Sequence, residues 1–299
     1  MKPEQILAKP PVVLSRHQQQ SYFENGYVIC RSLLKDDWLS SAREAYERAL
    51  TRSRTLEKSD RLFSLAPEHT AEAPCVYRID RLPDQDPEFW NITINSPLAD
   101  AAMDVLGPDV TYRDSMINVK PPGERGAVSW HQDFAFYPHT NVGTIQVLTA
   151  LYDIPSEQGP LCVLPGTHKG TLFEHYDEKE MWAGELRARD LEELDPDSGT
   201  ELECQAGDAI LLHPLTVHGS KPNRSTRSRP LLNHGMNSAD CRPYTAPTNS
   251  NSRTGDLLRG SPGRFARHDD LEIRLPPDWS KAYTSIFEHQ QEPEPQRPN

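Results

Sequence analysis

From residue 110 to residue 236 the chain is cut into short apolar runs by clusters of Pro, Gly, Asn and Ser, and this texture constrains the fold more than any single motif does. Residues 110–119 read as a strand that stops at Lys120-Pro121-Pro122-Gly123, a turn sequence. A second turn-rich stretch leads into Val128-Ser129-Trp130-His131. Residues 144–153 form another apolar extended run, and residues 161–164 a short one before Pro165-Gly166. Gly207-Asp208 opens the run Ala209-Ile210-Leu211-Leu212, and Pro230-Leu231-Leu232-Asn233 gives a further strand. Several short strands separated by turns imply an antiparallel barrel or sandwich.

The preceding third of the chain has a helical texture. Ser15 is placed to cap a helix that stops at Asn25-Gly26, and Tyr27-Val28-Ile29-Cys30 reads as a short strand. From Asp36 or Asp37 a longer helix is predicted, because Trp38, Leu39, Ala42, Ala45, Tyr46, Ala49 and Leu50 recur at helical spacing. Ser96-Pro97 opens another helix and Gly107-Pro108 closes it. Residues 52–90 between these helices are polar and proline-punctuated, and read as a loop. The fold expectation is therefore mainly β with flanking helices. Residues 170–203 read as an acidic insertion with a short helix near residues 178–191. A single domain over residues 1–290 would end in a disordered polar tail, residues 291–299.

Charge and composition exclude several functions. A net charge of -12 argues against a broad nucleic-acid or anionic-membrane surface. No apolar run approaches the roughly 18 to 20 residues needed to span a bilayer, and residues 1–15 lack a signal-peptide apolar region. A cytoplasmic protein with a small-molecule substrate is expected, and the oligomeric state is left open. The five cysteines, Cys30, Cys75, Cys162, Cys204 and Cys241, form no Cys-x-x-Cys pair and read as buried free thiols.

The chemistry gathers at Trp130-His131-Gln132-Asp133. A histidine and a carboxylate two residues apart in an extended segment project to the same side. With a third ligand from a distant strand they would form a 2-His-1-carboxylate face for non-haem Fe(II). His213 and His218 both follow the run ending at Leu212, and Gly219-Ser220 after His218 lets the backbone approach closely. Arg229, eleven residues beyond His218, opens the next run, and a guanidinium there can grip a carboxylate with two prongs. These residues alone also fit a cupin-type metalloenzyme that does not use 2-oxoglutarate, or a catalytically silent jelly-roll binding protein. His168 and His213 read as structural, and His139 and His175 as surface histidines. Arg78 and Arg81 read as solvated arginines, while Trp130, Phe134, Phe136 and Tyr137 suit either core packing or a substrate wall.

In their order along the chain, His131-Gln132-Asp133, the run from Val163 to Gly170 (Val-Leu-Pro-Gly-Thr-His-Lys-Gly), Gly207-Asp208, His218-Gly219-Ser220 and Arg229 resemble the phytanoyl-CoA dioxygenase family. The resemblance implies a double-stranded β-helix, or cupin-like jelly roll, with its core at about residues 110–236 and N-terminal helices as buttress. It implies Fe(II) on His131, Asp133 and His218, with 2-oxoglutarate and O2 as cosubstrates. Arg229 and Ser220 would hold the distal carboxylate of 2-oxoglutarate, and Met116 and Gln132 would line it. Leu148 stands where some members carry a tryptophan. The implied reaction oxidises an unactivated C–H bond, usually by hydroxylation, and releases succinate and CO2. Nothing suggests a CoA-sized basic cleft, so a small molecule such as a secondary metabolite is the expected substrate.

Overall fold

The computed structural model describes residues 1–247 and 249–279. Its strands are β1 (Tyr27–Cys30), β2 (Phe63–Leu65), β3 (Val76–Asp80), β4 (Val110–Lys120), β5 (Val128–His131) and β6 (Thr144–Ala150), followed by β7 (Leu161–Val163), β8 (Thr200–Leu202), β9 (Ala209–Leu212), β10 (His218–Ser220), β11 (Arg229–Ser238) and β12 (Leu257–Arg259). They form two antiparallel sheets. The larger runs β1-β9-β6-β11-β4-β3-β2, with β12 also on β4, and the smaller runs β5-β10-β7-β8. This is the expected jelly roll.

Strand alternation divides the interior into two cores. On β6, Ile145 and Val147 face the helices, while Leu148 and Ala150 face the smaller sheet. On β4, Ile117 and Val119 join the helix-side core, and Met116, Asn118 and Lys120 line a cavity on the opposite face. Both faces are therefore covered, which is why β6 and β11 are buried at every position. Each fully buried Val, Leu or Ile contributes about 1.5–3 kcal/mol.

The helical layer follows the local signals. Ser15 Oγ accepts from Gln18 N at 3.1 Å, Gln18 returns the bond to Ser15 N, and the helix Arg16–Asn25 ends on Gly26 at φ +82°. Helix Asp36–Ser53 buries Leu39, Ala42, Ala45, Tyr46 and Ala49, while Trp38 and Leu50 are half-buried beside them. Helix Leu98–Leu106 packs behind the central strands and carries Asp104, whose carboxylate accepts Val12, Val13 and Leu14 N–H at 2.7–2.8 Å. Three charge-assisted bonds thus bind the N-terminal segment to the body. No described helix is long and apolar enough to cross a membrane.

Four expectations need revision. Residues 52–90 contain β2, β3 and the helices Leu82–Gln85 and Pro87–Asn95, and β3 is buried throughout because it extends the larger sheet beside β4. The expected core of residues 110–236 is accordingly widened by β1, β2, β3 and β12. Residues 170–203 include β8, and the expected helix contracts to Ala188–Glu192. Cys75 is half-buried, unlike the other four thiols. The expected tail, residues 291–299, lies outside the described residues.

Candidate active site

Cross-strand register makes the centre. His131 is the last residue of β5 and pairs directly with His218, the first of β10. Their rings lie 4.1 Å apart. Asp133 follows in a 3-10 turn, so it is delivered by a turn rather than by the strand, and its Oδ1 lies 3.7 Å from His131 Nε2 and 3.9 Å from His218 Nε2. The three ligand atoms fall within 4.8 Å of one another.

The protein has preset which nitrogen is free. His131 Nδ1 lies 2.9 Å from Ser129 O, and His218 Nδ1 lies 2.9 Å from Thr216 O. A carbonyl only accepts, so each Nδ1 carries a proton, and Nε2 is the nitrogen turned towards Asp133. Burial would by itself raise the Asp133 carboxyl, but hydrogen bonding to His131 and the nearby His218 and His131 charges hold it well below the usual carboxylate range. Burial and then the His131 charge push His218 down to about 4, which keeps it neutral. Two imidazoles whose Nδ1 is already engaged, with one ionised carboxylate on the same cavity wall, fit a divalent iron. The Tyr137 hydroxyl hydrogen-bonds the Asp133 carboxylate, while Gln146 Nε2 donates to that hydroxyl at 2.9 Å. The Arg113 guanidinium lies 3.9 Å above the Tyr137 ring.

A cavity of about 130 Å³ opens beside the triad. Arg229, Ser220, Met116 and Leu148 all line it, as do Phe136 and Tyr137. Arg229 is 5% exposed, and its Nη2 donates to Gly159 O at 2.9 Å. Gln132 does not line the cavity. Standing between two residues that face inward, it points the other way, with Nε2 on Thr171 O and Leu215 O and Oε1 accepting from Phe173 N at 2.8 Å.

Several bland expectations fail. Arg78 is not a solvated arginine. It is 4% exposed, lines the cavity and donates from Nε to Asp80 Oδ1 at 2.8 Å. Its position on β3 was hidden by the polar surroundings in sequence. His139 and His175 are each 2% exposed, not surface residues, and burial pushes both down to about 3. His175 Nε2 accepts from Gln132 N at 2.9 Å, and Asn237 Nδ2 meets His139 Nε2 at 3.1 Å. His213 and His168 stay outside the site, with rings 5.0 Å apart beside Tyr22 and the Phe23 carbonyl. Phe134 is core, and Trp130 packs beside Leu164 and Leu186.

Lys120 was missed. It is 1% exposed, lines the cavity beside Arg229 and donates to Ser220 Oγ at 2.6 Å. A lysine directly before Pro-Pro reads as an exposed turn residue, and only the register with Arg229 shows otherwise. The amides Asn118, Gln146, Asn233 and Asn249 complete a polar wall.

The family model for phytanoyl-CoA dioxygenase (PhyH) matches residues 22–231, more than half of the chain. A probable alpha-ketoglutarate-dependent hypophosphite dioxygenase from Stutzerimonas stutzeri is 28% identical over 284 residues, covering 91% of this chain and 96% of that protein. The peroxisomal phytanoyl-CoA dioxygenase of Rattus norvegicus is 29% identical over 239 residues, covering 77% and 70%. Among solved structures, EctD from S. alaskensis with 2-oxoglutarate and 5-hydroxyectoine superposes with a TM-score of 0.64 at 20% identity, covering 90% of each chain. That likeness is one of fold.

Proposed function

This chain belongs to the phytanoyl-CoA dioxygenase family, and we propose that it oxidises a small polar molecule at a centre formed by His131, Asp133 and His218. It is an Fe(II)- and 2-oxoglutarate-dependent dioxygenase. The observation that carries the site assignment is the convergence of three ligand atoms within 4.8 Å on the wall of a cavity that also holds Arg229.

When bound, iron with 2-oxoglutarate supplies the activation of O2 that oxidises the substrate, with the cosubstrate leaving as succinate and CO2. The residues of this chain perform the remaining work. His131 and His218 present Nε2 to the centre, because Nδ1 of each is taken up by a backbone carbonyl that fixes the ring's orientation. Asp133 offers one carboxylate oxygen, and Tyr137 restrains the group. Arg229 supplies a fixed cation for the distal carboxylate of 2-oxoglutarate, with Ser220 as a hydroxyl beside it. Phe136 covers the His131 ring edge-on, with centroids 5.6 Å apart, and excludes water from that side.

The cavity supports the choice of substrate class. A water needs roughly 10–15 Å³ on this measure. A volume of about 130 Å³ beside the triad suits the cosubstrate and a compact reacting group. Asn118, Asn233, Asn249 and Gln146 offer it hydrogen bonds. The relatives named for hypophosphite and for hydroxyectoine have small polar ligands too. A cytoplasmic location belongs to the same proposal.

The test is anaerobic addition of 2-oxoglutarate to the Fe(II) protein. A weak visible charge-transfer band is expected, and its absence would overturn the cosubstrate assignment. A panel of small polar compounds should then include one that stimulates succinate release. Stimulation by long-chain acyl thioesters alone would overturn the substrate class.

A further inference from the structure

The cosubstrate end of the cavity holds two buried basic side chains, and they are register partners. Lys120 ends β4, Arg229 begins β11, and the pair faces the cavity together. Among the described residues no carboxylate pairs with either one. Like charges opposite each other on adjacent strands are destabilising, and burial makes them worse. The arrangement is consistent only with an anion between them or with one of them being uncharged.

The hydrogen bonds show how both conditions are met in turn. Lys120 Nζ donates to Ser220 Oγ at 2.6 Å and to the backbone carbonyl of Lys221. A neutral amine has two N–H groups and one lone pair, so these partners use both donors. Protonation adds a third donor without disturbing the first two. Ser220 accepts from Lys120, which leaves its own hydroxyl proton to give away. Arg229 is held by one nitrogen to Gly159 O, while its Nε is buried with no partner. Gly126 is packed against the Lys120 stem, where an added Cβ would meet Lys120 Cγ at 3.0 Å, so the side chain is wedged in place.

We propose that Lys120 and Arg229 form a two-cation anchor for the distal carboxylate of 2-oxoglutarate, Lys120 taking up a proton from solvent as that carboxylate arrives. The inference rests on the cosubstrate assignment above. Burial, then the Arg229 charge, pushes the Lys120 ammonium down to about 5, so the empty site holds the amine. The ionisable groups sharing the cavity with Lys120 are Arg78 from β3, Asp114 from β4, Arg229, Tyr137, whose hydroxyl burial keeps protonated, and the three metal ligands. Arg78 and Asp114 are paired with Asp80 and Arg113, and Lys221 reaches outward to Glu201 at 2.7 Å. Lys120 is thus the group left for an incoming carboxylate to charge. A lysine that merely stapled β4 to β10 would bind no proton when the cosubstrate enters.

The sign follows from the direction of the shift. The complex favours the protonated amine, so above about pH 5 and up to the raised value in the complex, 2-oxoglutarate affinity should fall by about tenfold per pH unit.

The experiment is anaerobic calorimetric titration of 2-oxoglutarate into the Fe(II)-loaded protein near pH 7.5, in buffers of different ionisation enthalpy. The dependence of the observed heat on buffer reads the protons taken up, and about one is expected. Titration of 2-oxopentanoate, which has the same five-carbon skeleton without the distal carboxylate, should show none. Lys120→Met should abolish proton uptake and weaken 2-oxoglutarate binding by roughly 10- to 100-fold. Lys120→Arg should bind without proton uptake. Tight binding by the wild-type protein with no proton uptake overturns the inference alone, as does undiminished uptake in Lys120→Met. Failure of the wild type to bind 2-oxoglutarate at all overturns the cosubstrate assignment and this inference together.

Discussion

Gly219→Ala should dismantle the metal centre without touching a ligand. Gly219 sits between His218 and Ser220 on β10, with an irregular register against β5 over those residues. A Cβ added there would meet Val128 O at 2.9 Å, Ser129 C at 3.3 Å and Trp130 N at 3.3 Å. All three are backbone atoms of β5, so no side chain can swing aside. Reaching ordinary contact requires β10 to move off β5 by about 0.5 Å, since non-bonded heavy atoms prefer roughly 3.5 Å or more. His131 and His218 are opposite each other across that gap, whereas metal sites tolerate ligand displacements of about 0.2 Å. Overpacking of this kind costs about 1–3 kcal/mol. Expressed in metal binding, that is a loss of roughly 5- to 150-fold. The assay is Fe(II) or Co(II) titration, with thermal melting to show that the fold persists. Gly123→Ala is the control: its added carbon has no atom within 4 Å, and its φ of +91° carries a backbone strain that Gly219 does not have, so unchanged metal affinity there isolates the steric contact at Gly219. Wild-type metal affinity in a folded Gly219→Ala protein would refute the argument.

Asp133→Ala should abolish metal-dependent turnover, while His213→Ala should leave metal affinity unchanged, since its ring packs on His168 and Tyr22 away from the triad; equilibrium metal binding checks both. Gln132→Ala should lower stability by about 2–4 kcal/mol, through three lost bonds that hold the chain near residues 171–173 and Leu215, and should leave 2-oxoglutarate affinity intact; denaturant melts and ligand titration separate the two. Stability should also fall in acid. His139, His175 and His213 have folded values pushed by burial to about 3, so the unfolded chain binds more protons. Their contribution is complete above about pH 6.5 and is lost as pH falls towards 3, at roughly 1.4 kcal/mol per unit for each. Urea melts at pH 7.5, 6 and 5 measure this, and His139→Asn should reduce the slope.

How far these features were legible in the sequence depended on how local their causes are. Ser15, Gln18 and Gly26 announce their helix because a cap is settled within one turn of chain. The strands from β4 to β11 are legible because turn residues bound them. His131, Asp133, His218 and Arg229 are picked out by the family resemblance that their order along the chain carries. Burial of charge was not legible, because it is decided by partners far away in sequence. Arg78 is buried by β4 and offset by Asp80, Lys120 is buried by β10 and β11, and Asp104 is buried by the N-terminal segment it binds. Arg78 lies in a polar, proline-punctuated stretch and Lys120 directly before a Pro-Pro turn, so both read as surface, while nothing beside Asp104 in sequence shows the backbone amides it binds. Gln132 failed for the opposite reason. The resemblance placed it along the cosubstrate, yet its extended backbone turns the buried side chain away from the cavity, onto Thr171, Phe173 and Leu215.

The register also sorts the cavity by chemistry. Four rows cross the larger sheet on its cavity face. The first is Lys120 with Arg229, and the second Arg78, Asn118 and Leu231. The third is Asp80, Met116, Asn233 and Leu148, and the fourth Asp114, Gly235, Gln146 and Leu212. The smaller sheet is tied to the first row through Lys120 and Ser220, and to the fourth through Gln146, Tyr137 and Asp133. The metal ligands are therefore spanned by a cationic end and an amide-bearing end. On the proposal made above, the distal carboxylate of 2-oxoglutarate goes to the first row, where Lys120 and Arg229 converge and no carboxylate pairs with either among the described residues, whereas Arg78 in the second row is paired with Asp80. Discrimination among substrates must then come from the second to fourth rows, where Asn118, Asn233 and Gln146 stand. Substitutions of Asn118 and Asn233 should change which compound is oxidised while leaving metal and 2-oxoglutarate affinity in place, and substitutions in the first row should weaken 2-oxoglutarate binding and leave metal affinity in place; equilibrium titrations and a substrate panel check both.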